Sequence, residues 1–117
     1  MSAFQHESLA EGRWAQMSFS SQMANIGSEI SRAIKAKKRG KHDRMTNAVE
    51  RALELMDLSI LCAAKAASYD NTAAKSHLRE LTRARAEICD FFLDNNKYGC
   101  TDTVIMKYYD AFARCPG

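Results

Sequence analysis

Four stretches of the chain repeat apolar residues at three- and four-residue steps, the spacing that gives an α-helix one buried flank. In the first, Met23, Ile26, Ile30, Ala33 and Ile34 follow Ser18 and Ser20, either of which can cap the helix. Gly27 lies inside this stripe, where glycine costs about 1 kcal/mol relative to alanine, so a neighbouring helix is expected to come close there. Gly40 follows Lys37, Lys38 and Arg39. Cations suit the negative end of a helix and glycine takes the left-handed conformation at low cost, so the first helix should stop at this point.

The second stretch runs from about Asp43 to Ala67, with Met45, Ala48, Val49, Ala52, Met56, Ile60 and Ala63 on one stripe. Leu53, Leu55, Leu58, Leu61 and Cys62 widen that stripe until its latter half is apolar nearly all round, as expected of a helix in mid-bundle or at a subunit contact. Asp70 or Asn71 can cap a third helix from Thr72 to about Asn95, whose apolar face is Ala74, Leu78, Leu81, Ala84, Ile88, Phe91 and Phe92. Gly99 ends the polar run that follows. Thr101 then opens a short fourth helix with Asp102 at its positive end and Val104, Ile105, Tyr108 and Phe112 as its stripe.

Strand signals are missing, because no run alternates β-branched and aromatic residues with polar ones. Residues 1–17 carry Trp14 and Met17 but little pattern, and read as an arm that packs through Trp14, its first dozen residues mobile. Short connections favour antiparallel neighbours. The expected fold is therefore all-α: one domain, residues 1–117, an up-down four-helix bundle with a short irregular N-terminal arm.

Composition sharpens this picture at three points. With 117 residues and 46% apolar content, the chain can bury a core without metals or disulfides. No apolar run approaches the roughly 18 residues that span a bilayer, and Met1 to Glu11 lacks the basic start and apolar stretch of a signal peptide, so the expected setting is the cytoplasm, with no membrane partner. Cys62, Cys89, Cys100 and Cys115 form no C-x-x-C pair and read as thiols, the first two as small hydrophobes within helices.

Two stretches carry resemblances. Gly40 to Leu55, with Ala52-Leu53-Glu54-Leu55 closing it, resembles the turn and second helix of a tetratricopeptide repeat over half of one repeat, which implies a helical hairpin. More widely, the chain shows Trp14-Ala15-Gln16-Met17-Ser18-Phe19 and then Met23-Ala24-Asn25-Ile26-Gly27-Ser28-Glu29. Further on come Arg51-Ala52-Leu53-Glu54-Leu55-Met56-Asp57-Leu58 and Asn96-Lys97-Tyr98-Gly99. Together these resemble a family of small bacterial and archaeal helical proteins of unassigned function, over roughly residues 14 to 113. That likeness implies a compact bacterial-type protein and no particular activity. In general shape the chain is also similar to the basic four-helix accessory proteins of diversity-generating retroelements, an analogy of fold.

Charge is the strongest local signal. Arg32, Lys35, Lys37, Lys38, Arg39, Lys41 and Arg44 stand against the single anion Asp43, in a chain whose net charge is +3, so the remainder is net negative. Placed at the end of a helical hairpin, this cluster suits phosphates, and Lys75, Arg79 and Arg83 at i, i+4 and i+8 would extend it along the third helix. The same cations also suit a solvated helix end, and no aromatic residues interleave with them to stack on bases. Asp57 interrupts the apolar second helix and would need Arg85 or Lys65 if buried. Arg83 can pair with Glu87, and Arg51 lies near Glu54 and Asp57 in sequence.

Catalytic chemistry finds no foothold. His6, His42 and His77 are scattered, H-E-x-x-H and E-x-x-H patterns are missing, and no nucleophile motif or phosphate-cradling glycine loop occurs, so neither enzyme nor metal nor cofactor is expected. The leading expectation is a non-catalytic module acting through protein contacts, chiefly self-association, with Leu55, Leu58, Tyr108 and Tyr109 as interface candidates. Those four come from the wide apolar stripe and from adjacent tyrosines that cannot share one helix face. The alternative is an RNA- or DNA-binding accessory protein that uses the basic cluster.

Overall fold

In the computed structural model of the protein, which describes residues 12–115, four helices follow a 3₁₀ turn at Trp14–Gln16. They are α1 (Phe19–Lys38), α2 (His42–Ala67), α3 (Thr72–Leu93) and α4 (Asp102–Ala113). Their starts are set by side chains that satisfy otherwise orphaned amides. Ser18 Oγ accepts the Ser21 N–H at 3.1 Å, Asn71 Oδ1 that of Ala74 at 3.0 Å, and Thr101 Oγ1 that of Val104 at 3.2 Å. Helix α1 ends as its sequence requires. Gly40 sits at φ +69°, the Lys41 N–H reaches back to the Ala36 carbonyl at 2.9 Å, and the Gly40 N–H reaches that of Lys37 at 3.1 Å.

Helix α1 lies between α2 and α4, and α2 lies between α1 and α3. Gln22 meets Ser59 and Glu29 meets Arg51, so α1 and α2 run antiparallel. Phe19 meets Phe112 at one end of α4 and Lys38 meets Asp102 at the other, which makes that pair antiparallel too. Between α3 and α4 the ring is closed by long side chains, where the Tyr108 hydroxyl donates to the Glu80 carboxylate. Burial and this acceptor both push the Tyr108 pKa upward, which keeps the hydroxyl a donor.

The core is continuous through Met23, Ile26, Ile30, Val49, Met56, Leu81 and Ile88. Gly27 is where α4 comes closest to α1: a Cβ placed there would stand 2.8 Å from Tyr109 Cβ, so the bare glycine lets the two helices touch. The described part of the arm packs through Trp14, as expected. Trp14 is buried, and its Nε1 donates to Ser59 Oγ at 2.9 Å. Ser59 Oγ donates in turn to Gln22 Oε1 at 2.7 Å, and Gln22 Nε2 donates to the Trp14 carbonyl at 3.0 Å. This closed polar triangle ties the arm to α1 and α2 with its members satisfied, as burial demands. The mobility expected of the first dozen residues falls, but for Gly12, outside the described ones, as does His6.

Helix α3 ends at Leu93, two residues short of Asn95, where the buried Asp90 carboxylate accepts the backbone N–H groups of Lys97 at 2.8 Å and Tyr98 at 3.1 Å and folds the chain back. One expectation needs correction. Leu55, Leu58 and Tyr109, offered as interface residues, are buried inside the single chain at 3%, 7% and 3% exposure. The wide stripe of α2 is used up by neighbours within the fold, namely α1, α3 and the Trp14 turn. Tyr108 is half-buried against Glu80, and Leu61 is the residue of that stripe left facing solvent.

Candidate functional site

The turn that joins α1 to α2 closes one end of a trough between those helices, with a volume of about 370 Å³. Its floor includes Ala36 and Ala48, both buried, and the small side chains let the flanking residues stand above them. Arg32 and Lys35 rise from α1 and Arg39 from the residue just past its end, at i, i+3 and i+7, while Arg44, Asn47 and Arg51 rise from α2 at the same spacing. Residues so spaced share one side of a helix, so each helix contributes a row about 10 Å long at 1.5 Å per residue. Lys41 stands at the closed end.

The two rows are tied together at the far end by one buried acid. Arg32 Nη1 donates to Glu29 Oε1 at 2.6 Å, and Arg51 Nε donates to Glu29 Oε2 at 2.8 Å. Glu29 thus fixes a guanidinium on each wall, and both guanidiniums still line the trough. Lys35, Arg39, Lys41 and Arg44 are exposed and make no ion pair among the described residues. Six cations, four of them unpaired, therefore surround a floor that carries no carboxylate.

The basic cluster read from the sequence is divided by this geometry. Arg32, Lys35, Arg39, Lys41 and Arg44 come together on the trough. Lys37 and Lys38 leave the trough: Lys37 turns to the opposite side of α1, where its Nζ lies 4.0 Å from the centre of the Phe91 ring, and Lys38 turns towards α4, where its Nζ lies 2.8 Å from Asp102 Oδ2. That contact draws the Asp102 carboxyl below its usual range. Lys75 pairs with Asp70 at 3.3 Å by the α2–α3 turn, at the other end of the bundle. Arg83 lies 3.9 Å from Glu87, and Arg79 is exposed on α3, so the supposed basic stripe of that helix does not join the trough.

Arg51 and Asn47 belong to the site and were not singled out by sequence reasoning, although the i, i+3, i+7 spacing from Arg44 that mirrors Arg32, Lys35 and Arg39 was there to be read. The pairing of Arg51 with Glu29 reaches across helices, whereas proximity in sequence pointed to Glu54 and Asp57. Asp57 instead takes both Nε and Nη2 of Arg85, at 2.8 and 3.3 Å, and is only partly buried. That contact pushes the Arg85 pKa upward, chiefly through the hydrogen bond.

Among the described residues no three His, Cys, Asp or Glu side chains converge as a metal set would, and no helix is long and apolar enough to cross a membrane. No protein-family model, curated protein or solved structure matches the chain.

Proposed function

We propose that this helical-bundle protein is a non-catalytic binder of nucleic acid, RNA or DNA, which holds the phosphate backbone in the trough between α1 and α2. The observation that carries this reading is the convergence of six cations from two helices and their turn on one trough, four of them without an ion pair among the described residues. Like charges gathered this closely repel one another, and an anionic ligand that neutralises them gains both their attraction and the release of its own counterions. None of the lining residues is a hydroxyl, thiol, imidazole or carboxylate, so the trough suits binding and not bond cleavage. Self-association lost its main support when Leu55, Leu58 and Tyr109 were found in the core.

The test is fluorescence anisotropy with labelled nucleic acid over a salt series. Binding that weakens steeply between about 50 and about 200 mM salt supports the reading. No change in anisotropy at the low-salt end would sink it.

A further inference from the structure

Resting on that reading, we infer that the trough takes a duplex in preference to a single strand. Three observations converge on this. The first is the layout of charge. The cations stand in two rows, one on each wall of the trough, each about 10 Å long. A duplex offers two phosphate backbones, one on either side of a groove, whereas a single strand offers one and leaves the second row without a partner.

The second is the lack of anywhere to put a base. Proteins that grip single strands add aromatic platforms to their basic grooves, because an unpaired base is held by stacking on a ring. Every residue lining this trough is Arg, Lys, Ala or Asn. The aromatic ring nearest in role, Phe91, is buried on the opposite side of α1 beneath Lys37. A duplex brings its bases already stacked and paired, and asks the protein only for contacts to the backbone.

The third is preorganisation. Glu29 fixes one guanidinium on each wall before any ligand arrives, which suits the regular phosphate spacing of a helix better than the changing contour of a flexible strand. Asn47 is the trough's neutral hydrogen-bonding side chain. With so little to read base edges, the site should be tolerant of sequence.

The experiment compares a short labelled duplex with each of its separated strands, as DNA and as RNA, by anisotropy at matched nucleotide concentration. The duplex is expected to bind about tenfold more tightly, with a log–log salt slope near −4 to −5 against about −2 for the strands. Arg39→Glu with Arg44→Glu should weaken duplex binding by about tenfold or more, while Lys37→Glu with Lys38→Glu should change it by about twofold at most. Both double variants alter net charge equally, so the contrast isolates the trough, and far-ultraviolet circular dichroism confirms that each is folded. Strands that bind as well as the duplex would overturn the inference while leaving binding in the trough intact, whereas equal losses from the two double variants would remove the trough as the site and the inference with it. No binding of either form would remove the proposed function with it.

Discussion

The two sides of the last turns of α1 were drawn from one run of cations and have opposite environments. Lys35 and Arg39 stand on the trough without ion pairs, whereas Lys37 and Lys38 are satisfied by the Phe91 ring and by Asp102. Two residues along a helix amount to roughly 200° of rotation at 3.6 residues per turn, which carries Lys37 away from Lys35, while Lys38 leaves the trough by reaching sideways to Asp102. A charge run in a sequence is therefore not a surface. The helix sorts it, and only the portion left without partners has attraction to offer a ligand.

The contrast can be pressed hardest by removing what satisfies the far side. Phe91→Ala empties a buried aromatic site and should cost about 3–5 kcal/mol, read as a lower urea midpoint with an unchanged slope. A loss below about 1 kcal/mol would mean that this side of α1 is not packed as described. Next in size is Glu29→Ala, which strips two charge-assisted hydrogen bonds from the trough side and should cost about 1–3 kcal/mol. If denaturation shows no change, the two walls are not held by that carboxylate.

The smallest effect separates the sides by pH. The Lys38 hydrogen bond lowers the Asp102 pKa in the folded protein from its ordinary 3.8. A depressed folded pKa gives stability that is whole above the ordinary value and disappears as pH falls through the lower, folded one. Asp102→Asn should accordingly flatten a small part of the acid limb below about pH 4, measured as urea midpoints across that range. Lys35→Met, on the trough side, should leave that limb unchanged, and an equal flattening from both would erase the distinction.

What was legible in the sequence is what depends on local chain geometry. Ser18, Asn71 and Thr101 cap the helices they precede, Gly40 ends α1, and Gly27 marks the close approach of another helix. Apolar periodicity gave all four helices, because a stripe must be hidden whatever hides it. The identity of the covering surface was not legible. The breadth of the α2 stripe indicates how many neighbours the helix has, and says nothing of whether they belong to the same chain, so Leu55 and Leu58 were misassigned to an interface. Partners distant in sequence were equally hidden. Glu29 with Arg51, Gln22 with Ser59, and Asp90 with the amides after α3 follow from how the helices dock.

Trp14 gives the molecule a built-in reporter. It is the chain's one indole, and it is held against α1 and α2 by a serine hydroxyl and a glutamine amide. Its emission colour follows the seating of the N-terminal segment, while circular dichroism follows the helices, so thermal melts recorded both ways tell whether the arm lets go before the bundle or together with it.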